Sequence, residues 1–133
     1  MSDLKLPHNT LVVVASGEEA NLFRMKDGGL RSYGHWTPGD LADQGPSGKT
    51  PPDMSDQELN EATFSKIIAE KLYSMAHAGD FQKLVLCADP NTLGEIRPLL
   101  HDEVNAKMLH EVDKTLINSS IDDIERSISK AID

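Results

Sequence analysis

From Phe81 to Asp133 the chain passes through an apolar strand, a short polar turn that caps a helix, then a second strand and a second helix. That succession confines the fold to an α/β core with a ligand-sized crest at the carboxyl end of a strand. The strand is Leu84-Val85-Leu86-Cys87-Ala88, an apolar run of the kind buried in a sheet, and the crest is Asp89-Pro90-Asn91-Thr92. Thr92-Leu93-Gly94-Glu95 has a capping-box pattern, so Thr92 is expected to cap a helix through Ile96, Leu99 and Leu100, which Pro98 bends or shortens. A further strand is expected over Met108 to Leu116. Ser120 can cap a final helix whose apolar points are Ile121, Ile124 and Ile128.

Upstream, Thr10-Leu11-Val12-Val13-Val14-Ala15 is β-branched and apolar and reads as a strand buried on both faces. Ser16 to Glu19 turns it, Ala20 to Met25 returns antiparallel, Lys26-Asp27-Gly28-Gly29 turns again, and Leu30 to His35 gives a weaker third strand. Trp36 to Ser55 then holds four prolines and three glycines and is expected as an irregular loop. At that length it is either incidental or a working element. Ser55-Asp56-Gln57-Glu58 fits a capping box that opens a helix. Leu59, Phe64, Ile67, Ile68, Leu72, Met75 and Ala76 form its apolar stripe, and Gly79 stops it. The order is β-β-β-α-β-α-β-α: an α/β fold whose mixed sheet combines an antiparallel meander with right-handed crossovers. Residues 1–9 are expected as a tail and 10–133 as a single domain, with the Pro/Gly-rich loop at 36–55.

A chain of 133 residues can bury a core without disulfides or metal. Its one cysteine, Cys87, rules out an internal disulfide framework and fits a reducing compartment; inside a buried strand it reads as an inert thiol. No stretch reaches membrane-spanning length, and a cytoplasmic location is expected. The formal charge of −9 weighs against general nucleic-acid binding, and no DNA partner is expected. The basic residues are scattered, which still leaves room for an RNA-facing patch on a protein acidic elsewhere. None of the five histidines forms HExxH or has zinc spacing, so no metal or other cofactor is expected.

Gly45-Pro46-Ser47-Gly48-Lys49-Thr50 resembles the end of a phosphate-binding loop, but Asp43 stands where the pattern needs glycine. Pro51 and Pro52 follow where a helix should open, so an ordinary turn-rich loop is the better reading. Asp89 and Asn91 either close the turn before a helix or form a binding surface. Trp36 either pins the root of the long loop or meets a partner. Glu111 and Asp113 share strand parity and read as an accessible charged face, as His101-Asp102-Glu103 reads as a polar patch. A two-metal nuclease would need acidic residues converging from the sheet, and the Leu11–Val14 run offers none.

Three segments carry a family resemblance: LVVVASGEEANLFRM, FSKIIAEKLYSMAHAGDFQKLVLCADPNTLGEIRPLL and DEVNAKMLHEVDKTLINSSIDDIERSI. From Thr10 to Ile132 the chain resembles the bacterial host attachment protein family, described as required for attachment to host cells. That family is related to the bacterial counterparts of archaeal and eukaryotic peptide-chain release factors. The resemblance implies a domain akin to the release-factor middle domain, with a ribonuclease H-like arrangement. There a Gly-Gly-Gln loop helps water attack the ester of peptidyl-tRNA. Here Gly28-Gly29-Leu30 lies in a hairpin turn and no Gly-Gly-Gln occurs, so the catalytic element carries over to no residue. The expected function is a non-enzymatic binding protein acting through a protein or ribonucleoprotein partner, the ribosome among them. Its binding candidates are Trp36, Gln44, Lys49, Asp89, Asn91 and Thr92. The alternative is a ribosome-associated peptidyl-tRNA hydrolase or rescue factor without the motif, in which the loop around Gln44 to Lys49 orients water. An edge strand of the meander could also pair across a two-fold axis to give a homodimer.

Overall fold

The computed structural model describes residues 6–37 and 56–132, the side chains of 56–63 excepted. The elements are β1 (Leu11–Ala15), β2 (Ala20–Lys26), β3 (Gly29–Trp36), α1 (Asp56–His77), β4 (Leu84–Ala88), α2 (Pro90–Ile96), α3 (Asp102–Asn105), β5 (Met108–Asp113) and α4 (Ile121–Ile132). The sheet runs β3-β2-β1-β4-β5. β1 pairs antiparallel with β2 and parallel with β4, β2 pairs antiparallel with β3, and β4 pairs parallel with β5. This is the mixed α/β order expected from the sequence, in a ribonuclease H-like arrangement.

Every residue of β1 and β4 is buried. Alternation then sends odd and even positions into two cores. Leu11, Val13, Ala15, Leu84 and Leu86 meet Phe64, Ile68 and Leu72 of α1 and Leu93 and Ile96 of α2. Val12, Val14, Val85 and Cys87 meet Ile124 and Ile128 of α4. The sheet is thus covered on both faces, by α1–α3 on one side and α4 on the other, which is what two strands without a polar side chain require. No described helix is long and apolar enough to cross a membrane.

Turn chemistry fixes the meander. Asp27 and Gly28 both hold positive φ (52° and 83°) between the paired residues Lys26 and Gly29, giving the type I′ geometry that suits a right-twisted hairpin. At the other end Ser16 Oγ accepts hydrogen bonds from the amides of Glu18 and Glu19, at 3.1 and 3.2 Å. A bulge between the Leu22 and Phe23 pairings leaves Tyr33 unpaired on β3, with the Arg24 guanidinium 4.6 Å from its ring centroid. α1 ends in a Schellman motif: Gly79 takes φ 78°, its amide donates to Ala76 O and that of Asp80 to Met75 O. The capping box expected at its start rests on Ser55 and the Glu58 side chain, which lie outside the described residues.

Three expectations are corrected. Asp89, and not Thr92, caps α2: its carboxylate accepts from the Thr92 amide at 3.1 Å, and Pro90 occupies the first helical turn. Proline there has its φ preset and needs no amide partner, so Asp-Pro outcompetes the capping box that begins at Thr92. The shortening expected of Pro98 is seen: α2 stops at Ile96 and a 3-10 turn, Arg97–Leu99, carries the proline. Secondly, His101-Asp102-Glu103 opens the separate short helix α3. There His101 Nδ1 accepts from the Glu103 amide, its ring stacks on Tyr73 at 4.1 Å, and Glu103 reaches His77 of α1 at 3.3 Å. Lastly, β5 ends at Asp113 where its partner β4 ends at Ala88, and Ile121 is 39% exposed while Ile124 and Ile128 face the core.

α4 also closes the start of the sheet edge. The Met25 amide bonds to Thr10 O on the β1 side, so Leu30, opposite Met25, occupies a non-hydrogen-bonded pair and its amide faces outward. Glu125, only 4% exposed, accepts that amide at 2.6 Å, and its Oε2 lies where a Cβ on Gly29 would come within 3.0 Å. Glu125→Ala leaves a buried amide unpaired and is expected to lower unfolding stability by about 1–3 kcal/mol. Glu125→Gln, which keeps an acceptor oxygen, should lose less, as denaturant titration would show.

Burial also fixes Cys87, whose thiol is pushed from its ordinary 9.0 up to about 12. Folding therefore opposes ionisation. The associated stability is complete below pH 9.0 and is lost as pH rises toward 12. Measured against Cys87→Ala, the wild-type chain should lose up to about 1.4 kcal/mol per pH unit in that window. A pH-independent difference between the two would contradict the burial of the thiol.

Candidate functional site

One row of the sheet organises the carboxyl crest. Trp36 pairs with Ala20, Ala20 with Ala15, Ala15 with Ala88, and Ala88 with Asp113. Three alanines in succession, all buried in the α1-side core, separate Trp36 from the turn after β4. At a strand spacing of about 4.8 Å, Trp36 and Ala88 stand roughly 14 Å apart. The Trp36 ring is half-buried and packs against the α1-side core, so it pins the end of β3 and keeps part of its surface outward.

Around this row the polar groups fall into fixed roles. Asp89 is half-buried and committed to capping, Asn91 is exposed, and Thr92 is buried in the first turn of α2. Of the turn, then, Asn91 is the side chain a partner meets first. The structure thus brings Trp36, Asp89, Asn91 and Thr92 to one end of the sheet, while Gln44 and Lys49 lie outside the described residues. Sequence reasoning missed His35, whose Nε2 lies 2.9 Å from Glu19 Oε1 beside Trp36. Only the pairing of β2 with β3 discloses it, since the two residues sit in different strands and turns. Nor is Glu111 a free carboxylate: Arg97 holds its Oε1 at 2.6 Å and 2.8 Å through Nη2 and Nε.

The crest is acidic. Glu18, Glu19, Asp89 and Asp113 rim it, against His35. Such a rim repels phosphate and suits a partner that brings cationic or neutral polar groups. Among the described residues no three His, Cys, Asp or Glu side chains are grouped so as to hold a metal ion.

Comparison with known proteins follows this geometry. The sequence profile of bacterial archaeo-eukaryotic release factor family 12 matches residues 34–128, from the end of β3 into α4. No curated protein sequence matches the chain. A solved structure titled "Archaeal protein" aligns at 13% identity with a TM-score of 0.47, over 91% of this chain and 36% of its own length. The chain therefore spans about a third of that structure.

Proposed function

The chain belongs to bacterial archaeo-eukaryotic release factor family 12, and on that premise we propose that it is a non-enzymatic binding module that docks on a ribonucleoprotein, the ribosome first, through its carboxyl crest. The observation that carries the reading is the cross-strand row from Trp36 to Asp113. It sets an aromatic anchor and the exposed Asn91 at one end of a rigid sheet, where open α/β folds hold their ligands. A half-buried tryptophan flanked by a polar rim is the composition of an interaction hot spot. The acidic rim favours a basic protein of the particle as the immediate contact.

The absence of Gly-Gly-Gln from the sequence supports binding without ester hydrolysis. Action in the cytoplasm belongs to the same proposal. So does any influence on attachment to host cells, which would then act through the partner and not by direct adhesion.

The test is a sucrose-gradient profile of the tagged full chain in native lysate. Wild type should co-migrate with a ribosomal subunit or the whole ribosome. Trp36→Ala with Asn91→Ala should move it to the top of the gradient. Asp89 is left intact, because losing its cap would itself cost about 1 kcal/mol. Migration of wild type at the top would overturn the ribosomal reading. Peptide release from purified ribosomal complexes, lost on deleting residues 44–49, would overturn the non-enzymatic one.

A further inference from the structure

The thirteen lysines and arginines are spread through a chain of net charge −9 and form no run in the sequence. The fold nonetheless gathers three of them. Lys114, just after β5, meets Arg126 and Lys130 of α4 across an open groove of about 280 Å³, with Ser119 and Ser127 alongside. The buried Leu116 forms its floor. We propose that this groove binds the phosphodiester backbone of single-stranded RNA, at a site separate from the crest.

Charge carries the first part of the argument. Asp123 is the one acidic residue lining the groove, and it is paired with Arg126 at 2.8 Å. That pairing occupies one guanidinium nitrogen and orients the rest, since arginine offers five N–H donors in a rigid fork. Lys114 and Lys130 have no ion-pair partner among the described residues. Asp113 and Asp122 do not line the groove, and Glu125, next to Arg126, is buried against the Leu30 amide. Three cations against one carboxylate leave an excess of two positive charges on an otherwise acidic protein.

Spacing and lining decide the ligand. Arg126 and Lys130 are four residues apart on one helix face, about 6 Å between β-carbons, and so present a repeated charge along the groove. An acidic peptide would be held by an apolar anchor as well as by charge, and Leu116, at the floor, is the groove's one apolar side chain. No aromatic ring lines it either, so bases are not stacked and the backbone is what is read. The two serine hydroxyls can both donate to and accept from a ribose 2′-OH, which distinguishes RNA from DNA.

The experiment is fluorescence anisotropy of the full chain with a short fluorescein-labelled oligouridylate, repeated with oligothymidylate and with an oligoglutamate peptide. Binding should be independent of base sequence. With about two phosphates neutralised, its log K against log salt slope should be about −1.4, or roughly a sevenfold loss between about 50 and 200 mM salt. Lys114→Glu with Lys130→Glu, both at exposed positions, should weaken RNA binding at least about tenfold and flatten that slope. Lys66→Glu with Lys83→Glu, exposed elsewhere, is the matched charge control, and circular dichroism of both double variants checks that they fold. The proposal is overturned by absent wild-type RNA binding, by equal losses in the control, or by tighter binding of oligothymidylate or oligoglutamate. Groove-dependent RNA binding in a chain that stays at the top of the gradient would leave this proposal standing and remove the ribosomal one. A groove variant that still co-migrates but binds RNA like wild type would do the reverse.

Discussion

The parallel ladder between β1 and β4 is the contact on which the rest of the structure depends. Their ten residues are all buried, so the ladder has no face that water can solvate. Helices must cover both sides, and parallel pairing forces each connection between these strands to cross over one of them. Because the two strands end level, at Ala15 and Ala88, the turns that follow meet at one crest. The antiparallel return of β2 and β3 brings Trp36 to the same level. The candidate site is thus a consequence of register, and its members come from three separate stretches of sequence.

Charge is partitioned by the same architecture. The crest collects carboxylates, whereas the flank of α4 collects Lys114, Arg126 and Lys130. A single net charge of −9 averages over both and describes neither. Within α4 three faces perform three tasks. Ile124 and Ile128 face the core, Glu125 seals the outward Leu30 amide, and Arg126 with Lys130 lines the groove. A ribonucleoprotein offers both kinds of counterpart, basic protein and phosphodiester backbone, and that pairing unites the two proposed surfaces.

What could be read from the sequence was what depends on neighbours along the chain. The apolar runs Leu11–Ala15 and Leu84–Ala88, the Asp27-Gly28 turn and the Gly79 stop each follow from local sterics and burial. So does the element order that they punctuate. The cap of α2 went to Asp89 because two local signals overlapped there, and Pro90 decided between them. The short helix α3 was missed because four residues cannot show a helical period. Its stability comes from Tyr73, His77 and the capping ring of His101, two of which lie on another element. Trp36, Asp89 and Asn91 were visible as candidates one at a time. Their shared row was not, nor were the His35–Glu19 pair, the Glu125–Leu30 bond and the basic groove, because strand register and helix placement decide them.

The most direct measurement is site-specific photo-crosslinking in cells, with a photoreactive residue at the crest position Asn91 and, in a separate chain, at Lys66 on the outer face of α1. Binding of a ribonucleoprotein through the crest predicts a discrete adduct with one of its proteins from position 91 and none from position 66. Equal yields from both positions, or adducts from position 66 alone, would contradict it.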